Sequence, residues 1–225
     1  MNNIVIGVEG LVGSGKTSLC RELLKMIPNS IILHGGNLYR GIVFALMNSG
    51  MNPTQMKESH NIDIRKVMEM LKVSIKIVNN ESVVFVDGVE INEEKLQSDK
   101  TSMSVSRIAK EADNTKLYSF AKTLIDNYKK QYNVIASGRD LMKIYPELDY
   151  HFFITADIET RERKMSQYKE TEISKEELRK HVEERDKLQE EAGYYKIYEN
   201  TIKVDVTDCK NAKESAKKVL SFIKL

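Results

Sequence analysis

The chain has 225 residues, and its 35 lysines and arginines nearly balance its 33 aspartates and glutamates, which leaves a formal net charge of +2. This balance disfavours a protein that binds nucleic acid through bulk positive charge. A hydrophobic content of 41% with 30% charged residues excludes an intrinsically disordered chain. The length is typical of one large domain, or of one core with an insertion.

The two cysteines, Cys20 and Cys209, lie far apart and have no CxxC partner, so they predict free thiols instead of a disulfide framework or a zinc site. No apolar run approaches the ~20 residues of a membrane span. The first residues lack the basic stretch of a signal peptide. We therefore expect a cytoplasmic protein that binds neither membranes nor nucleic acid.

The first part of the chain alternates predicted strands and helices. Residues 4–8 form a β-branched run without polar alternation, which predicts a strand buried on both faces of a parallel sheet. A helix is expected to begin near Lys16 and to end at Pro28. A second strand over 30–34 and a helix over 37–49 follow.

The segment from 73 to 91 has a different pattern, because its apolar residues alternate with polar ones around the turn residues Asn79 and Asn80. Such alternation around a turn predicts an antiparallel hairpin with one solvent-facing side. We therefore expect an insertion into the parallel core, over 62–97, on the substrate side of the molecule.

The rest of the chain returns to buried strands separated by helices, which predicts a right-handed α/β sheet. The predicted strands cover 133–137, 150–154 and 201–206, and the predicted helices cover 101–132 (in two segments), 157–191 and a final amphipathic stretch from Ala212 to Ile223.

The strongest motif, Gly-Leu-Val-Gly-Ser-Gly-Lys-Thr over 10–17, fits G-x-x-x-x-G-K-[ST] between a predicted strand and a predicted helix. Its glycines let backbone N–H groups turn around a polyphosphate, and the new helix offers free N–H groups to the same anion. Lys16 can reach the β- and γ-phosphates, and the Thr17 hydroxyl can ligate Mg²⁺. Glu9 is either a second Mg²⁺ ligand, through water, or an exposed strand-end carboxylate. The residues predicted to bind ATP or GTP are Gly10, Gly13, Ser14, Gly15, Lys16, Thr17 and Ser18.

Three further segments carry a resemblance to a known family. They are Leu33-His34-Gly35-Gly36-Asn37-Leu38-Tyr39-Arg40, Val134-Ile135-Ala136-Ser137-Gly138-Arg139-Asp140 and Glu183-Glu184-Arg185-Asp186. Together with the phosphate loop, and in this order, they resemble bacterial cytidylate kinases, whose corresponding segments read D-S-G-x-x-Y-R, A-D-G-R-D and E-R-D.

The resemblance implies one domain over 1–225 with a P-loop NTP hydrolase fold: a five-stranded parallel sheet, helices on both faces, the hairpin insertion and a mobile helical lid over 159–195. It implies a monomer that transfers a phosphoryl group from ATP, with Mg²⁺, to CMP or dCMP. Two alternatives stay open: a related P-loop kinase for another small phosphate or hydroxyl acceptor, and a P-loop NTPase switch.

The resemblance also implies roles for single residues. Arginine suits phosphate because its planar guanidinium donates two parallel hydrogen bonds. The implied catalytic residues are Lys16, Arg139 and Arg185. The residues that match arginines beside ATP are Arg161 and Arg163, with Lys164 next to them because the spacing is offset by about one residue. The implied acceptor-binding residues are Gly36, Arg40, Ser106, Arg139, Asp140 and Arg185.

The chain departs from the family pattern around the acceptor. The departures are His34 and Gly35 for Asp-Ser, Ser137 for an aspartate near the metal, Thr115 or Lys116 for an arginine at the base, Gln189 for an aspartate at the sugar, and Ala192 for a phosphate-binding arginine. Each lost charge-assisted contact costs around 1.5–3 kcal/mol, or about 10- to 100-fold in affinity. The residues on the ATP side therefore keep the family pattern, and the identity of the acceptor stays open. His34 either binds substrate or is satisfied by backbone groups.

Overall fold

The computed structural model describes residues 3–49, 64–97, 115–166 and 174–224. The strands in these residues are β1 Val5–Gly10, β2 Ser30–His34, β3 Val73–Val78, β4 Glu81–Val86, β5 Val89–Glu90, β6 Asn133–Ser137, β7 Tyr150–Thr155 and β8 Thr201–Asp205. The helices are α1 Lys16–Met26, α2 Gly35–Asn48, α3 Ile64–Met70, α4 Glu93–Gln97, α5 Thr115–Lys129, α6 Leu141–Ile144, α7 Ile158–Ser166, α8 Lys175–Glu191 and α9 Ala212–Leu220.

The strands form one sheet in the order β3-β4-β2-β6-β1-β7-β8, with β5 paired to β4. The five strands β2-β6-β1-β7-β8 are parallel, which confirms the predicted five-stranded parallel sheet. Strand β1 is buried at every position, as expected for the central strand of a parallel sheet. The carboxyl ends of β1, β2 and β6 therefore lie side by side at one edge.

The hairpin of β3 and β4 is confirmed, and it extends the parallel sheet beyond β2. Asn79 and Asn80 have φ angles of 50° and 64°, and two left-handed residues in succession are what a tight two-residue hairpin turn requires. The turn contacts β2 directly, because the Ile32 N–H donates to the Asn80 carbonyl at 2.8 Å and Ile32 pairs with Glu81 in parallel register.

Helices cover both faces of the parallel sheet, as predicted. On one face, apolar residues of α1 and α9 pack against alternate strand residues such as Ile6 and Phe152. On the other face, α5 and α6 cover Val5 and Val134. A third apolar cluster joins α2 to the hairpin, so the insertion is packed against the element that begins at the end of β2.

Several predicted helix boundaries differ from the structure. Helix α2 begins at Gly35, directly after β2, instead of at 37. The charged stretch predicted as helical contains α7 and α8, and α8 begins with a capping box in which Ser174 Oγ accepts from the Glu177 N–H. Residues 101–114, which include Ser106, lie outside the described residues. No helix in the described part of the chain combines the length and apolar character needed to span a bilayer.

Candidate active site

The phosphate loop connects β1 to α1. Gly13 and Gly15 have φ angles of 75° and 86°, in the left-handed region that favours glycine. Gly10 is required for a different reason, since a Cβ atom there would lie 2.2 Å from the Ile154 carbonyl oxygen. The N-cap of α1 is Gly15, which has no side chain to cap the first N–H groups. These groups and the positive end of the helix dipole therefore face any anion in the loop.

Lys16 is held inside this loop. Its Nζ donates to the carbonyl oxygens of Gly10 at 2.9 Å and of Leu11 at 2.7 Å. Burial, and then the positive charges of Arg139 and Arg185, lower the pKa of Lys16 well below its usual value. An anion bound beside Lys16 would offset both effects, because it supplies the opposite charge.

The structure brings Lys16 together with three arginines that were predicted to act in transfer or acceptor binding. Arg40 belongs to α2, Arg139 to the turn after β6 and Arg185 to α8. Burial, and then the charges of Arg185 and Arg139, lower the pKa of Arg40 to about 10. The same two arginines lower the pKa of both Lys16 and Arg40, so the four cations lie close enough for their charges to interact. Convergent positive charge of this kind stabilises a polyanion.

Arg139 is oriented by residues of α8 and of the segment that follows it. Its Nε donates to Gln189 Oε1 at 2.8 Å, and its guanidinium carbon lies 5.7 Å from the centroid of the Tyr195 ring. Gln189 is neutral, so it fixes the direction of the guanidinium without neutralising its charge. Neither partner was predicted from the sequence.

Asp140 follows Arg139 and has a left-handed backbone, with φ at 53°. The Tyr118 hydroxyl donates to Asp140 Oδ2 at 2.5 Å, and Lys143 Nζ lies 3.0 Å from Oδ1. Burial, and then Asp140, raise the pKa of both Tyr118 and Tyr194. Sequence reasoning missed both tyrosines, because only the fold brings α5 and the segment after α8 to this turn.

Arg161 of α7 has a charged partner instead. It forms an ion pair with Asp186 of α8, and its Nη1 donates to the Val12 carbonyl at 3.2 Å. Asp186 Oδ1 also accepts from the Val12 N–H at 3.1 Å and from the Tyr195 hydroxyl at 2.5 Å. These contacts fix α7 and α8 to the tip of the phosphate loop.

The second basic residue of α7 at the loop is Lys164, whose Nζ donates to the Ser14 carbonyl at 3.1 Å. Arg163 is exposed. Residues three apart share one face of a helix, so Arg161 and Lys164 point to the loop together. The predicted place of Arg163 beside ATP stays a prediction.

Glu9 differs from one of the two interpretations drawn from the sequence. It is only 1% exposed, so it is not an exposed strand-end carboxylate. Its Oε1 accepts from the Leu141 N–H at 2.6 Å, and its Oε2 lies 3.2 Å from His151 Nε2. Its role as a Mg²⁺ ligand through water stays a prediction.

Two predicted residues at the end of β2, Gly36 and His34, contact charged side chains. Gly36 lies against Arg40, since a Cβ atom at Gly36 would come within 2.9 Å of Arg40 Nη1. His34 is buried, and its Nε2 lies 2.8 Å from Glu81 Oε2, so the ring pairs with a carboxylate. Glu81 also accepts from Arg21 Nε at 3.1 Å, and these contacts tie the hairpin to β2 and α1.

Thr17 follows Lys16 in the first turn of α1, and Ser18 comes next. Among the described residues, no group of three or more His, Cys, Asp or Glu side chains is arranged to hold a metal ion. Mg²⁺ does not require such a group, since it keeps several waters and is often bound by phosphates and one or two protein oxygens. A hydroxyl beside the phosphate loop fits that mode of binding.

Comparisons with known proteins match this chain to one family. The family model for cytidylate kinase matches residues 6–225. A cytidylate kinase from Caldicellulosiruptor saccharolyticus is 28% identical over 229 residues, covering 99% of this chain and 96% of that protein. A cytidylate kinase from Clostridioides difficile is 28% identical over 174 residues, covering 76% of this chain and 72% of that protein.

The solved structures that match this chain have low sequence identity and TM-scores below 0.5. TT1252 from Thermus thermophilus matches at 16% identity with a TM-score of 0.45, covering 100% of both chains. A shikimate kinase from Acinetobacter baumannii, in complex with shikimate, matches at 12% identity with a TM-score of 0.41, covering 98% of this chain and 92% of that one.

Proposed function

Because the chain belongs to the cytidylate kinase family, and is therefore a nucleoside monophosphate kinase, we propose that it transfers the γ-phosphoryl group of ATP to CMP or dCMP, producing ADP and CDP or dCDP. The observation that supports this best is the convergence of Lys16, Arg40, Arg139 and Arg185, each from a different part of the fold. Transfer between two polyanions depends on in-line positioning and positive charge more than on covalent participation of the protein.

On the donor side, we assign the ATP phosphates to the backbone N–H groups of the loop and to Lys16. The Lys16 ammonium now contacts two loop carbonyls, and it reaches the β- and γ-phosphates by exchanging these contacts. Arg161 and Lys164 border the same loop. When bound by the Thr17 hydroxyl and the phosphates, Mg²⁺ neutralises charge that develops on the phosphate oxygens.

On the acceptor side, we assign the acceptor phosphate to Arg40 and Arg139, with Arg185 of α8 between the two nucleotides. An oxygen of the acceptor phosphate attacks the γ-phosphorus, and the bond from that phosphorus to the β–γ bridging oxygen breaks, so ADP leaves. Asp140, already a hydrogen-bond acceptor for Tyr118, is placed to accept from the amino group of a cytosine.

The acceptor-side arginines also favour a kinase over an NTPase switch. A switch hydrolyses its nucleotide with water and uses an arginine to stabilise the transition state, but it has no acceptor phosphate for further arginines to hold. Arg185 and Gln189 both belong to α8, and a lid that closes over two substrates excludes the water that would otherwise accept the phosphoryl group.

An ATP-consumption assay across a panel of nucleoside monophosphates tests the proposal. We expect turnover confined to CMP and dCMP. Turnover with another acceptor, or no turnover at all despite ATP binding, would contradict the proposal.

Lys16→Ala should lower kcat by at least about 10²–10³-fold, since it removes a cation from the transferring group. Lys130→Ala, at an exposed lysine, is the matched control and should keep wild-type turnover.

A further inference from the structure

The inference concerns Glu9, a buried carboxylate at the carboxyl end of β1 that the transfer step does not use. Only 1% of Glu9 is exposed. A carboxylate in such a place is unfavourable unless hydrogen bonds or a counter-charge compensate its lost hydration. The group that compensates it therefore indicates its task. This group is the Leu141 N–H, which donates to Oε1 at 2.6 Å, whereas Oε2 lies 3.2 Å from His151 Nε2 without the geometry of a hydrogen bond.

Leu141 is the residue directly after the acceptor turn. Arg139 and Asp140 occupy the short turn between β6 and α6, and Asp140 has a φ of 53°. A non-glycine residue in the left-handed region persists where its surroundings hold it. The hydrogen bond from the Leu141 N–H to Glu9 holds the chain at the carboxyl end of this turn.

The other side of Glu9 faces a buried histidine. His151 of β7 has no exposed side-chain surface, and its Nδ1 lies 2.9 Å from Thr201 Oγ1 at the start of β8. Glu9, His151 and Thr201 thus lie in one row across β1, β7 and β8. Packing in this buried row limits the movement of the Glu9 carboxylate, which presents Oε1 to the Leu141 N–H.

We propose that Glu9 is a positioning residue, which acts through the Leu141 N–H to hold Arg139 and Asp140 in the geometry that binds the acceptor. The proposal rests on the proposed function for the identity of that acceptor. It predicts an effect on the acceptor alone, whereas a Mg²⁺ ligand at the same position would affect the metal requirement and the affinity for ATP.

Two substitutions separate these roles. Glu9→Ala removes the oxygen that accepts from Leu141, and it should raise the KM for CMP about 10-fold or more. The KM for ATP and the Mg²⁺ concentration for half-maximal rate should stay within twofold. Glu9→Gln keeps an acceptor oxygen and should keep the KM for CMP within about threefold of wild type.

Tyr145→Phe is the matched control. It removes the hydrogen bond from the Tyr145 hydroxyl to Asp126 Oδ1, 3.0 Å long, at the other end of α6. If loss of any polar contact around α6 were sufficient, this variant would share the effect of Glu9→Ala. We expect its KM for CMP to stay within twofold of wild type.

Three results would overturn the proposal: a raised Mg²⁺ requirement or ATP KM in Glu9→Ala, an acceptor KM in Glu9→Gln as poor as in Glu9→Ala, or an equal effect of Tyr145→Phe. Amide hydrogen exchange at Leu141 needs no turnover and no alanine variant. Slow exchange of the Leu141 N–H is expected in both wild type and Glu9→Gln, and fast exchange in the wild type would contradict a stable hydrogen bond to Glu9.

A wild type that phosphorylates no nucleotide would refute the proposed function, and the exchange result would still decide the role of Glu9.

Discussion

Two arginines contact α8, one in the acceptor turn and one in α7 beside the tip of the phosphate loop, and their partners differ in charge. Arg139 donates to the neutral amide of Gln189, whereas Arg161 pairs with the carboxylate of Asp186. A neutral partner directs a guanidinium and leaves its charge available to a ligand. A carboxylate neutralises the charge and leaves a structural contact. The resemblance assigned phosphate contacts to both arginines, and from their different partners we predict different effects when each contact is broken.

The largest expected effect follows from removing the arginine with the neutral partner. Arg139→Ala should lower kcat/KM for CMP by about 100-fold or more, because it removes a charge-assisted contact to the acceptor phosphate. The KM for ATP should stay within about twofold. Steady-state kinetics with each substrate varied measures both values. An unchanged acceptor KM and kcat would show that Arg139 does not bind the acceptor.

Breaking the charged pair should instead reduce stability. Asp186→Asn leaves the buried Arg161 without its carboxylate partner, which we expect to cost about 2 kcal/mol of the free energy of unfolding. For a chain of this size that lowers the Tm by roughly 4–8 °C. Thermal unfolding of the ligand-free protein measures the change.

The control for this variant is Glu183→Gln in the same helix. Glu183 pairs with Arg179 at 3.2 Å, but their side chains are 57% and 47% exposed, and such pairs contribute about 0–1 kcal/mol. The control should therefore shift the Tm much less. Equal Tm shifts in the two variants would mean that the contacts of Asp186 do not hold α8 against the phosphate loop.

Substitutions of Gln189 test whether the neutral charge of this partner matters for the role of Arg139. Gln189→Glu would neutralise Arg139 and should raise the KM for CMP about 10-fold. Gln189→Ala only frees the guanidinium and should have a smaller effect, about threefold, since the charge remains. If the alanine variant were the more impaired of the two, orientation and not charge would decide the contribution of Arg139.

The smallest expected effect concerns the cost of keeping a cation buried. Arg40→Met should weaken acceptor binding but raise the stability of the ligand-free protein by about 1 kcal/mol, or roughly 2–4 °C in Tm. Burial lowers the pKa of Arg40 to about 10 from the usual 12.5, so the cost is fully present below pH 10 and falls as the pH rises above it. Thermal unfolding as a function of pH should show the advantage of the variant shrinking over that range.

Much of the fold follows from local patterns in the sequence. Strand β1 is an apolar run between a polar start and a glycine loop, and Asn79-Asn80 can adopt left-handed angles that close a hairpin. The residues that form the phosphate loop could be identified from the sequence, because a contiguous run of glycines and the following helix determine the geometry of the loop.

Residues paired across the fold could not be predicted in this way. Glu9 precedes the loop, which favoured a metal role, yet its partner Leu141 is 132 residues away. His34 pairs with Glu81 only because the hairpin lies against β2. Arg163 and Lys164 differ by one position, and only the helical face that packs against the loop brings Lys164 to the Ser14 carbonyl. Each of these contacts depends on tertiary packing, which local sequence does not determine.

The central claim, that the four converging cations serve transfer between two nucleotides, is tested most directly by following the phosphoryl group itself. ATP labelled at the γ-phosphate is incubated with the wild-type protein, Mg²⁺ and CMP, and the products are separated. We predict that the label appears in CDP at the rate at which ATP is consumed, and that this transfer is lost in Lys16→Ala. Label that appears instead in inorganic phosphate, whether or not CMP is present, would contradict the account.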